Sequence, residues 1–188
     1  MKLEKIACFC GLILPFFSLI ILFLSIQMAP SFNWTQNAIS DLGMFESSSL
    51  LFNSGIIISG FLLMIFSIGL PKMLEIQKIS YILLFLSSFF LIVIGIFPLP
   101  SPYHIYVSVL FFISFPLSFL TLGLYLYKLK DSFKRKLGTS ALTIPGIAVI
   151  SPVFLLFFNG IAISEIIIVT PGFIWCMSYS FCCLFKKY

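Results

Sequence analysis

A chain of 188 residues that is 61% hydrophobic and 9% charged has too few charges for a soluble surface, where roughly a quarter of residues carry one. Its net charge of +5 lies in short segments between apolar runs, which is a topology signal and not a nucleic-acid footprint. With a mean hydropathy of +1.18, the chain reads as an all-α polytopic membrane protein, its backbone polar groups paired within helices as lipid requires.

A membrane-crossing helix needs about 20 mostly apolar residues. Six runs meet that requirement, and together they form one domain over residues 1–188: 6–28, 51–70, 79–97, 104–127, 137–158 and 166–185. Lys2 and Lys5 precede the first run as they would in a signal peptide. The run is longer than the about 7–15 residues of a signal-peptide apolar region. Gln27 and Pro30 also flank Ala29 poorly for cleavage, so a retained first span is expected. The connection Ala29–Leu50 is the long one. Within it, Asn37, Ser40 and Asp41 are turn-making or helix-starting types. Gly43 suits a turn ended at positive φ. Ile39 and Leu42, three apart, suit anchoring, and Trp34 suits headgroup depth. A short re-entrant or interfacial segment is therefore expected over Asn33–Phe45.

In the second span, Gly55 and Ser59 at i, i+4, with Gly60 alongside, permit close helix approach. Pro98, Pro100 and Pro102 impose a tight turn between spans three and four. Pro15, Pro116, Pro145, Pro152 and Pro171 lie inside spans, where they are tolerated and predict kinks. Cys8, Cys10, Cys176, Cys182 and Cys183 fall within or at the ends of spans and imply no disulfide framework; they read as packing residues. Cys182 and Cys183, beside Lys186 and Lys187, also fit palmitate acceptors.

Orientation follows from charge. With the N-terminus inside, the inner segments hold Lys2 and Lys5; Lys72 and Lys78; Lys128, Lys130, Lys134, Arg135 and Lys136; Lys186 and Lys187. Those are all eleven Lys and Arg residues, and the outer segments hold none. Both termini are expected to be cytoplasmic, in the cell membrane, and the even span count is what keeps the charges on one side.

Three carboxylates, Asp41, Glu46 and Glu165, fall outside, as does the single histidine, His104. With Asn37, Ser40 and Asn53 they put polar groups from four connections at one membrane face. Each has two readings. Asp41 caps a short helix or binds a ligand. His104 is an interface residue, a hydrogen bonder or a general base. Glu165 favours its helix N-terminus or contributes to a site. Asn53 bonds between helices or orients a ligand. Glu46 reads as solvated. Asp41, His104 and Glu165 are the candidates for chemistry, and Asn37, Ser40, Asp41, Asn53, His104 and Glu165 for ligand binding. No metal or cofactor is implied: one histidine does not make a zinc site, and neither a glycine-rich phosphate loop nor a nucleophile elbow occurs. A Ser40–His104–Asp41 triad is disfavoured because adjacent Ser and Asp rarely serve one histidine.

The stretch Asn37-Ala-Ile-Ser-Asp-Leu-Gly43, then Phe52-Asn53-Ser-Gly55 with Gly60, then Gly95-Ile-Phe-Pro98 and His104, resembles the prokaryotic family catalogued as domain of unknown function 998. The resemblance runs from span one to span six. Glu165 is similar to an acidic residue that members carry at the start of the last span, but Ile166 stands where a basic residue would follow. Ile39-Ser-Asp-Leu-Gly43 is also distantly similar to the Ile-Ser-Asp-Thr-Gly stretch of the six-span Frag/DRAM group, which includes lipid-anchor remodelling factors and autophagy modulators. Here Leu42 replaces the threonine. That likeness implies a six-helix architecture and a link to lipids.

The leading functional reading is a protein that binds, or modifies, a membrane lipid or its headgroup at the outer cluster. The alternative is a non-catalytic structural or partner-binding protein with protein partners the sequence does not name. A small-solute transporter ranks third, because no ionisable residue lies near the middle of a span.

Overall fold

The computed structural model describes residues 3–74 and 78–185, so Lys2, Glu75, Lys186 and Lys187 lie outside the described residues. Six α-helices follow one another: α1 (Leu3–Met28), α2 (Ser49–Leu74), α3 (Lys78–Ile96), α4 (Pro102–Tyr127), α5 (Ser132–Ile150) and α6 (Ala162–Phe185). All six are long and apolar enough to cross a membrane, α5 together with the turn that continues it. Two short 3-10 helices, Ile39–Gly43 and Ser151–Leu156, interrupt the connections. Among the described residues there is no strand.

Each helix packs on its neighbour in sequence, and α6 closes the ring mainly along α1 and less along α5. Since lipid is as apolar as the side chains, close packing rather than burial from water holds such helices together. Small residues permit it. A Cβ added at Gly60 would lie 2.9 Å from Ile92 N and 3.0 Å from Ser88 O, so α2 meets α3 backbone to backbone. Gly11 of α1 abuts the Ser180 hydroxyl of α6 in the same way. The outward faces carry large apolar residues. On α1, Phe16, Ile20 and Phe23 repeat at helical spacing and all lie more than half exposed, as a lipid-facing stripe requires.

The centre of the bundle is an aromatic column. Phe111 stacks on Phe115 at 5.4 Å, Phe115 meets Phe119 at 5.2 Å, Phe119 meets Trp175 at 5.5 Å, and Trp175 stacks on Tyr179 at 5.6 Å. The Trp175 indole N–H donates to Leu137 O at 3.1 Å, so the column's one indole donor is satisfied.

Span boundaries shift by a few residues from the sequence expectation, most of all at the fifth span. The fifth span was expected over 137–158, whereas α5 starts at Ser132 and gives way to a 3-10 helix at Ser151. Asp131 Oδ1 accepts the Lys134 N–H at 2.7 Å, a cap that draws Lys134, Arg135 and Lys136 into the first turns. At the far end Pro152 has no N–H to continue the α ladder. The proline-rich turn between spans three and four forms as expected, with Ser101 N–H donating to Pro98 O at 2.9 Å and Pro102 opening α4.

Candidate functional site

The α1–α2 connection is ordered by its own polar side chains. Asn33 Oδ1 accepts the Thr35 N–H at 2.9 Å, and Asn37 Oδ1 accepts the Asn33 N–H at 2.8 Å. Asp41 Oδ2 then accepts both the Ala38 N–H, at 3.0 Å, and the Asn37 side-chain amide, at 2.9 Å. The first of these is the reach-back half of a capping box: a carboxylate in the first turn satisfies a backbone donor that the helix start leaves orphaned. Leu42 is fully buried in a small cluster with Ala29 and Phe52, and Ile39 packs against the same cluster. Trp34 is 37% exposed and meets Phe32 edge-on.

Gly43 does not adopt positive φ; no described glycine does. Its small size serves close approach instead. A Cβ there would collide with the Asn53 side chain, whose amide donates to Gly43 O at 3.1 Å. Asn53 thus bonds the connection's backbone rather than another span.

The segment is pinned to α6 and the turn just before it by three bonds from sequence-distant residues. Gly160 N–H donates to Thr35 O at 2.9 Å, and Ala162 N–H donates to Asn37 O at 3.0 Å. Glu165 Oε2 accepts the Ile39 N–H at 2.6 Å, at the start of the 3-10 helix. A Cβ on Gly160 would overlap the Asn37 backbone, which explains a glycine there without any special φ.

Beneath this roof lies a cavity of about 140 Å³, walled by α1, α2, α3, α4 and α6 and closed above by Ile39 and Ser40. Its lining is apolar except for Ser18, Ser40, Ser59, Ser108, Glu165 and Thr170. Two of these satisfy each other: Ser18 and Ser59 share a hydrogen bond of 2.9 Å between α1 and α2. An apolar space of roughly this size can hold a benzene-sized group. Two lining residues, Leu19 and Ile174, are 50% and 47% exposed, so the cavity reaches the lipid-facing surface between α1 and α6. Pro15 lines it on α1, and Pro171 lies beside lining residues on α6. Each removes a helical hydrogen bond at this level.

Glu165 is 9% exposed and stands at the junction of cavity and roof. One carboxylate oxygen holds Ile39; no described residue hydrogen-bonds the other. The described Lys and Arg residues, from Lys5 to Lys136, all lie at the opposite end of the helices. At about 1.5 Å per residue that end is roughly 30 Å away.

His104 is buried, in the first turn of α4. Its Nδ1 lies 2.9 Å from Phe97 O. A carbonyl only accepts, so Nδ1 carries the proton and Nε2 of the neutral ring is an acceptor. No hydrogen bond among the described residues joins His104 to Asp41 or Glu165, and no Ser40–His104–Asp41 relay forms. His104 belongs instead to the α3–α4 turn, one helical turn from Ser108 of the cavity wall. The six candidate binding residues therefore divide. Glu165 and Ser40 line the cavity, Asn37, Asp41 and Asn53 build its roof, and His104 stands on a neighbouring helix. Glu46 is exposed. The cavity itself, and the hold of Glu165 on a backbone N–H, had no sequence signal beyond an acidic residue opening an apolar span.

Fold and site define a polytopic α-helical membrane protein with a roofed apolar cavity at the end of the bundle opposite its basic residues. Residues 12–181 match the family described as protein of unknown function (DUF998), and the chain belongs to that family. No curated protein and no solved structure matches it.

Proposed function

We propose that this protein binds a membrane amphiphile, its chain in the cavity and its headgroup at Glu165 and Ser40. The observation that carries this reading is the union of an apolar cavity, open toward lipid, with a buried carboxylate that has one oxygen free. Binding sites for small amphiphiles are of this kind: mostly apolar, with few polar groups to orient the ligand. Asn37, Asp41 and Asn53 serve by holding the roof, and His104 by ordering the neighbouring turn. Among the described residues no carboxylate hydrogen-bonds His104, whose Nδ1 bonds Phe97 O instead, which favours binding over turnover. Below the cavity, the Phe111–Phe115–Phe119 column favours a closed pocket over a solute path. The one-sided Lys and Arg distribution supports a cytoplasmic basic end, which puts the roof at the outer leaflet of the cell membrane.

Photolabelling tests the reading. A single-chain lipid carrying a diazirine near mid-chain, reconstituted with the protein and irradiated, should mark peptides containing Leu19, Phe173 and Ile174 above the lipid-facing Phe16 and Phe23. Uniform labelling of all lipid-facing helices would contradict it.

The three bonds tying residues 35–39 to residues 160–165 favour a second reading, in which the cluster is only a folding clamp. On that reading the same labelling is uniform and Glu165 acts on stability alone.

A further inference from the structure

Resting on the amphiphile reading, we infer that the ligand's headgroup is an ammonium and that Glu165 is its counter-ion. Glu165 is more than nine-tenths buried at the cavity's polar end, yet the described protein offers it one backbone N–H and no cation. A carboxylate taken out of water without a counter-charge is costly, and a pair completed there gains from the low dielectric. The other carboxylate nearby, Asp41, lies within the 3-10 turn whose first N–H Glu165 holds, and it adds negative rather than positive charge. Every described Lys and Arg is at the far end of the helices, so no Lys or Arg among the described residues serves this site as a cation.

One further group fits the same head. Ser40 lines the cavity at its roof, as Glu165 does, and a hydroxyl is a further acceptor type for an ammonium head. An anionic head would meet two carboxylates and no basic side chain, which argues against fatty acids. The apolar chain would lie along Phe111, Val169 and Phe173, with Leu19 and Ile174 at the lateral opening. The chemistry that fits is a primary ammonium joined directly to an apolar chain, as in an alkylamine; in an ethanolamine phospholipid an anionic phosphodiester lies between the two, and the described lining has no basic side chain to meet it.

Native mass spectrometry of the full chain from neutral detergent tests this with dodecylamine, dodecanol and lysophosphatidylethanolamine, on wild type and Glu165→Gln. Wild type should bind dodecylamine roughly tenfold or more over dodecanol, as a charge-assisted hydrogen bond predicts. Glu165→Gln should lose the preference for the amine over the alcohol. The glutamine retains an acceptor for Ile39 N–H. If the variant still fails to fold, the wild-type ratio of amine to alcohol decides alone. Lysophosphatidylethanolamine should bind more weakly than dodecylamine; a match between them would overturn the direct joining of ammonium to chain. Equal binding of amine and alcohol to wild type, or a preference surviving in Glu165→Gln, overturns the ammonium inference and leaves amphiphile binding standing. No binding of any chain overturns both.

Discussion

Glu165→Ala should unfold at a markedly lower temperature than wild type, while Glu165→Gln stays close to it. The alanine leaves the Ile39 N–H without its acceptor in a half-buried turn, and it opens the junction between roof and cavity. Orphaning a buried donor costs roughly 1–3 kcal/mol, more when the lost partner was charged. Glutamine keeps an oxygen at the same reach and should lose less than about 1 kcal/mol. Thermal unfolding in detergent, followed through accessibility of the buried Cys10 and Cys176 thiols, reads the difference. The alanine variant should also become sensitive to limited proteolysis between Ala29 and Ser48, because its loop has lost one of three ties to residues 160–165. Equal melting of all three proteins would mean that Glu165 does not hold the roof.

The second large effect lies in the aromatic column. Phe115 is fully buried and touches Phe111, Phe119 and Phe173. Phe115→Ala removes those contacts and leaves a void between the cavity and the inner half of the bundle. Such a truncation costs about 3–5 kcal/mol. Phe9, 56% exposed on the outer face of α1, is the matched control. Phe9→Ala exchanges ring–lipid for methyl–lipid contact and should leave the melting temperature nearly unchanged. A Phe115→Ala protein that melts with Phe9→Ala would show that the column does not carry the bundle's packing.

Six spans and their class were legible because lipid imposes two constraints at once: every backbone group must be paired, and each run must be long enough to cross. The apolar runs satisfy both openly. Their ends were less legible, since capping by Asp131 and the block at Pro152 are local backbone events that hydropathy averages away. The roof was half legible. Turn-forming residues from Asn37 to Gly43 announced an ordered segment, and Ile39 and Leu42 were correctly read as its anchors. What they anchor to depends on Glu165, 126 positions away from Ile39, and no spacing rule carries that distance. Gly43 misled for a related reason. A glycine serves either a positive φ or a close neighbour, and only the fold brought Asn53 near enough to decide. His104 drew attention as the lone histidine among outer carboxylates, but its bond runs to Phe97 O across the proline-rich turn. The cavity was not legible at all, being a space left where five helices fail to meet.

The measurement that bears most directly on amphiphile binding is mass spectrometry of lipids retained by the purified protein, wild type beside Val169→Phe. Val169 lines the cavity, and a phenyl ring in its place would occupy part of the about 140 Å³ that a chain needs. A defined amphiphile enriched on wild type and lost from a folded Val169→Phe protein is the predicted result. The same bulk lipids in the same proportions on both proteins would contradict it.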